Sequence, residues 1–188
     1  MPLRLLGIVP DLESLKEIGG RAFRGYAADG VQVTVALASG ADPGGIGSRA
    51  ALLGVHALIL LDYRPAERDS QSLASLLEDV MRALRPHVVV LGGDAAIIRA
   101  GRSAFEAARM VSSKPGALPA KLYLPADPDS PETSTRISIA DSPGRTQASF
   151  RRVFPSPWIT GVVERDLFAG LMADPDGLAV GLEKRIAG

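Results

Sequence analysis

The sequence predicts an α/β domain built on a mainly parallel sheet. Three observations carry that expectation. Short apolar runs rich in β-branched residues recur along the chain. Stretches with apolar residues at helical spacing separate them. The length, 188 residues, fits one domain with a core of its own, so residues 1–188 read as a single unit.

Each element follows in order. Residues 3–9 (LRLLGIV) read as a strand. Ser14-Leu-Lys-Glu17 has capping-box spacing, in which hydroxyl and carboxylate satisfy orphan backbone donors. Leu15, Ile18, Ala22, Phe23 and Tyr26 then recur at helical spacing, and Gly30 is placed to stop the helix. Gly19 and Gly20 fall inside that stretch, where each costs roughly 1 kcal/mol against alanine and so points to close packing. Residues 31–38 (VQVTVALA) are nearly continuously apolar, as a strand buried on both faces must be. A Gly-rich loop, SGADPGGIGS, and a short helix, RAALLGV, lead to a third strand over 56–62. Ser72 is placed to cap the next helix. Leu73, Leu76, Leu77, Val80, Met81 and Leu84 trace its apolar face, and Pro86 lies beyond its end. A fourth strand spans 87–92, and a helix follows over 95–111 with Ile97, Ile98, Ala104, Phe105 and Ala108 inward.

Strands alternating with helices imply right-handed crossovers and parallel pairing. The expected architecture is therefore a Rossmann-like three-layer α/β/α domain. After Lys114 the texture changes. KLYLP and RISIA read as strands, ADPDSPETST between them as a mobile loop, and the surroundings of Phe150 and residues 167–172 as apolar helical patches.

Composition excludes several classes. Formal net charge is zero, which argues against a nucleic-acid partner or a polybasic membrane patch. No apolar run approaches about 18 residues, so no membrane span is expected. The opening MPLRLLGIVPDLES lacks the shape of a signal peptide. The absence of cysteine removes disulfides, thiol catalysis and cysteine metal sites, and fits a cytoplasmic protein.

In an open α/β sheet, ligands bind beyond the carboxyl ends of the strands, near the switch in strand order. Four loops lie there, 10–14, 39–49, 62–68 and 92–99. Their polar groups include Asp11, Glu13, Ser39, Asp42, Ser48, Arg49, Asp62, Arg64, Asp94 and Arg99.

Over most of its length the sequence resembles the LmbE-like, or PIG-L-like, N-deacetylases. The segments that carry the resemblance are GIVPDLESLKEIGGRAFRGYAADGVQVTVALASGADPGG, then AALLGV, then LRPHVVVLGGDAAIIRAGRSAFEAAR, then TRISIAD. The family opens with a strand, a His-Pro-Asp-Asp-Glu motif and a Gly pair. A strand, a Gly-rich loop and Leu-Gly-Val follow, and later a His-x-Asp-His motif opens a helix. The resemblance implies an LmbE-like fold, amide hydrolysis on N-acetyl sugars and homo-oligomeric assembly. It also implies a zinc ion on the first motif's histidine and second aspartate and on a histidine of the later motif. Those three positions here are Val9, Leu12 and Ile97, and none can coordinate. Pro10, Asp11 and Glu13 remain, with Asp11 where the family has its general base. The later motif has become Asp94-Ala-Ala-Ile97, and the family's late histidine falls where this chain reads FRRVFPSPW.

The expectation is a chain without a cofactor or metal and without deacetylase activity, acting as a binding, regulatory or assembly protein. An apolar-floored pocket would be rimmed by Asp11, Glu13, Arg49, Asp94 and Arg99 and would take a polar, sugar-like small molecule. Alternatives stand beside it. One is an active hydrolase using Asp11 and Asp94. Another is a nucleotide or sugar-phosphate binder with the 39–49 loop as anion cradle. Asp11 reads equally as a carboxylate placed for a helix dipole, and Asp94 as a helix N-cap. An Asp11, Glu13, Asp94 cluster is a weak candidate for a hard cation. His56 and His87 fall at strand starts, at the sheet end opposite the expected site, where a structural role is the better reading. Phe154 and Trp158 read as core or interface.

Overall fold

A computed structural model describes residues 2–18, 20–39, 50–61, 63, 70–110, 119–138, 147–154 and 167–168. Its strands are β1 (Arg4–Val9), β2 (Gln32–Leu37), β3 (Ala57–Leu60), β4 (Val88–Leu91), β5 (Lys121–Pro125), β6 (Thr135–Ser138) and β7 (Gln147–Phe154). The helices are α1 (Leu12–Glu17), α2 (Gly20–Ala28), α3 (Ser70–Leu84) and α4 (Ala95–Met110).

The strands form one seven-stranded sheet in the order β3-β2-β1-β4-β5-β7-β6. The four strands expected to run parallel do so, and β5 joins them in the same sense. The sheet as a whole is mixed, however, and not mainly parallel, because β7 pairs antiparallel with both β5 and β6. Parallel pairing needs a crossover of a dozen or more residues, usually a helix. No helix intervenes between β5 and β6. The 126–134 loop spans that gap, and β7 returns antiparallel between the two.

Alternate strand residues belong to two separate buried clusters, as the period-two pleat requires. Leu5, Val33, Val35, Leu37, Val88 and Val90 pack with Leu15, Ile18, Phe23 and Tyr26 of the α1–α2 segment. Leu6, Ile8, Ala36, Val89 and Leu91 pack with Leu73, Leu77 and Met81 of α3 and with Ala104 and Phe105 of α4. Burial on both faces is why these strands read as continuous apolar runs.

Several local expectations are corrected. The first helix starts a turn earlier than the Ser14 capping box, because Asp11 caps it: its carboxylate accepts from the Ser14 amide at 2.8 Å. Aspartate is as good an N-cap as serine, so the earlier site wins. The 12–28 stretch holds two helices, and Gly20 opens the second, so it lies at a helix start and not in a helix interior. Close packing there does hold: a Cβ on Gly20 would lie 3.0 Å from the Leu15 carbonyl oxygen. Ser72 sits within α3, which begins at Ser70. Phe150 lies on a strand, since QASFRRVF pairs along its length with β5 and β6. The 126–134 loop carries hydrogen bonds of its own: Ser130 N–H donates to Asp127 O at 3.0 Å, the Thr133 hydroxyl donates to the same oxygen at 2.6 Å, and Arg151 pairs with Glu132. Trp158 and all of 169–172 lie outside the described residues. Among the described residues no helix is long and apolar enough to cross a membrane.

Candidate functional site

The strand order reverses direction between β1 and β4, because the chain proceeds from β1 to β2 on one side and returns to β4 on the other. That switch point is where an open α/β sheet offers its crevice. Ile8 pairs with Leu91, and the Gly92 amide donates to Ile8 O at 2.8 Å, so the segments after β1 and β4 leave the sheet side by side. Ser39 ties in the segment after β2, its amide and hydroxyl both donating to Pro10 O, at 3.0 and 2.6 Å.

Packing at this point is close. A Cβ on Gly92 would lie 2.5 Å from Ile18 Cγ2 and 3.3 Å from Val9 Cγ1. A Cβ on Gly93 would lie 2.6 Å from Pro10 Cδ and 3.4 Å from Ile97 Cδ1. Gly93 also has φ of +110°, a conformation L side chains rarely adopt. The Gly pair thus lets the ends of β1, α1, β4 and α4 meet. Sequence reasoning misses Ile18 and Pro10 as parts of this contact, although Gly-Gly directly after a strand is a signal for close backbone approach.

The carboxylates expected at the rim are largely committed to the backbone. Asp11 caps α1. Asp94 Oδ1 accepts from the amides of Ala96 at 2.8 Å and Ile97 at 2.9 Å, capping α4. Because Pro10 abuts Gly93, these two aspartates open their helices from neighbouring points. Glu13 is exposed and bonds Lys16 Nζ through both oxygens, at 2.8 and 2.9 Å. Arg99 is exposed on α4, five residues after Asp94 and so roughly 140° further round the helix. Arg49, Asp42, Ser48, Asp62 and Arg64 lie outside the described residues, and with them the shape of the expected pocket.

The three positions that the resemblance assigns to zinc do not fit that ion. Val9 is 0% and Ile97 5% exposed, each in a hydrophobic cluster, and Leu12 packs against the cluster that holds Val9. None carries a donor atom, whereas a hydrolytic zinc needs three protein ligands. Among the described residues no three His, Cys, Asp or Glu side chains could hold a metal ion together. Both histidines are engaged at the other end of the sheet. His87 N–H donates to Arg4 O at 2.9 Å and its Nδ1 accepts from Arg4 N–H at 3.1 Å. His56 repeats the arrangement with Val33, at 2.8 and 3.2 Å. Each imidazole stands in for the carbonyl that the incoming strand has not yet begun to supply.

No protein-family model matches the sequence, and no curated protein sequence matches it. Solved structures do. The conserved protein TT1542 from Thermus thermophilus superposes with a TM-score of 0.60 at 17% identity, over 73% of this chain and 72% of that one. N,N'-diacetylchitobiose deacetylase from Pyrococcus horikoshii does so with a TM-score of 0.51 at 18% identity, over 73% of this chain and 64% of that one. The fold is LmbE-like. GalB, the 4-carboxy-2-hydroxymuconate hydratase from Pseudomonas putida, shares it with a TM-score of 0.56 at 16% identity, over 82% of this chain and 98% of that one. The LmbE-like fold is therefore common to proteins named for two different reactions, and chemistry must be argued from the site.

Proposed function

We propose that this chain is a three-layer LmbE-like domain that has lost the family's zinc and with it N-deacetylase activity, and that it works by binding a polar, sugar-like small molecule or by assembly. The observation that carries the reading is the apolar packing of Val9, Leu12 and Ile97 at the positions the resemblance assigns to the metal. Burying such side chains stabilises by roughly 1.5–3 kcal/mol each, whereas an uncompensated buried carboxylate costs energy. Once the ion is lost, drift towards hydrophobes at these positions is favourable. Asp11, at the family's general-base position, then has no metal-activated water to act on and keeps its use as a helix cap. The ligand class is taken from the chitobiose deacetylase, whose named substrate is an N-acetylated sugar.

The test combines elemental analysis with an acetate-release assay on N,N'-diacetylchitobiose and N-acetylglucosamine. The expected result is far less than one zinc per chain and no acetate above background, with weak saturable binding of the sugar by calorimetry. Acetate release at an enzyme-like rate, abolished by Asp11→Asn, overturns the reading. Asparagine caps a helix as well as aspartate does, so that variant removes a base without removing the cap.

A further inference from the structure

β3 is the outer strand of the sheet and pairs with β2 alone, so its far edge has no ladder partner among the described residues. Leu61 N–H donates to Leu37 O at 3.0 Å, and Leu37 lies level with Leu60. In a parallel ladder the groups that face the neighbour alternate along the strand. Ala57, Ile59 and Leu61 therefore turn theirs to β2, while Leu58 and Leu60 turn theirs outward. Proteins usually blunt such an edge with a lysine, a proline or a bulge. β3 has none of these. Its register with β2 is unbroken, and residues 50–61 (AALLGVHALILL) contain no Lys, Arg, Asp, Glu or Pro. Both of its faces are only partly covered, with Leu58 at the margin of one buried cluster and Ile59 and Leu61 at the margin of the other. Of the three large hydrophobics exposed among the described residues, two fall in this run, Leu52 at 72% and Leu60 at 44%. The opposite edge strand differs, since Thr135 and Ile137 of β6 are buried.

We propose that β3 pairs antiparallel with β3 of a second copy of this chain across a two-fold axis, joining the two sheets edge to edge. The properties of the edge select that occupant. A segment that covers it must be extended, uncharged and apolar on both faces, and must bring layers of its own over the margins of both clusters. A second β3 with its flanking helices meets each condition, whereas an amphipathic peptide covers one face and leaves the other wet. Self-pairing also sets no like charges against each other, because the run carries none. With the axis at Ile59, Leu58 of each copy lies opposite Leu60 of the other, and the two exchange N–H and C=O in an isologous contact. Both clusters then continue across the axis. The pairing gives the assembly arm of the proposed function a surface and a partner, and it holds or fails independently of the loss of zinc.

Sedimentation of the full chain over a range of concentrations, combined with hydrogen exchange, tests this. The unmodified protein should be dimeric when concentrated and dissociate on dilution. Protection at the Leu58 and Leu60 amides should rise and fall with the dimer, while the Ile59 amide, bonded to β2 within the protomer, stays protected throughout. Leu60→Lys, at a side chain already exposed, should raise the dissociation constant by about tenfold or more. A chain that stays monomeric at every concentration, its edge left for a peptide or another protein, overturns the proposal. A dimer whose Leu58 and Leu60 amides exchange freely overturns it too, because that dimer uses another surface. Both comparisons are made on the unmodified protein and stand even if Leu60→Lys folds poorly.

Discussion

Asp94 and Gly93 do opposite things at the same corner. Asp94 supplies an acceptor to two amides of α4, so Asp94→Ala should cost about 1 kcal/mol and Asp94→Asn almost nothing, read by chemical denaturation. Equal losses in both variants would mean that the negative charge itself is used, through its interaction with the positive end of the α4 dipole. Gly93 supplies absence. Its φ of +110° and the rigid Pro10 ring 2.6 Å from where a Cβ would lie leave a side chain no escape. Gly93→Ala should therefore cost about 2–4 kcal/mol, measured as a drop in denaturation midpoint with an unchanged slope. The aspartate's capping role was legible in the sequence beside its ligand-binding and catalytic readings, because Asp after Gly-Gly and before an apolar-periodic run sits at an N-cap position. The contact with Pro10 was not, since the residues that crowd a glycine are set by the register of two distant strands.

At the scale of elements, the ends of strands and helices carry the specificity. His87 begins β4 by completing the Arg4 pairing with its ring. His87→Ala should cost about 1 kcal/mol, and His87→Asn, whose side-chain oxygen reaches a similar place, should recover most of it in thermal melts. At the far end of α4, Arg109 lies over the Phe154 ring at 4.3 Å and the Phe105 ring at 5.8 Å and donates to Pro119 O. Burial holds its guanidinium below the ordinary arginine pKa. One side chain thus joins α4, β7 and the approach to β5. Arg109→Lys should lose about 1 kcal/mol despite keeping the charge, because a compact ammonium does not stack flat on two rings. Helix periodicity and β-branched runs revealed α3, α4 and the parallel strands. The same rules misjudged β7, where QASFRRVF carries arginines inside a strand and its pairing is decided by neighbours far away in sequence.

For the whole molecule, the parallel half of the sheet followed from the order of elements alone, whereas the antiparallel end did not. The difference is physical: helical crossovers leave a repeating pattern in the sequence, while a strand that returns antiparallel between two others leaves only short alternations. The centre of the sheet has one further consequence, which concerns synthesis. β1 is the third strand in spatial order but the first of the seven to be made. One of its edges waits for β2, and the other stays open until Val88–Leu91 has emerged. At translation rates of about 5–20 residues per second that delay is on the order of ten seconds. Throughout it, the wholly apolar LLGIV run has an unpaired edge, the kind of template on which nascent chains aggregate. The nascent chain therefore calls for shielding by a chaperone until β4 arrives, and slowing translation between residues 40 and 85 should lower the yield of folded protein.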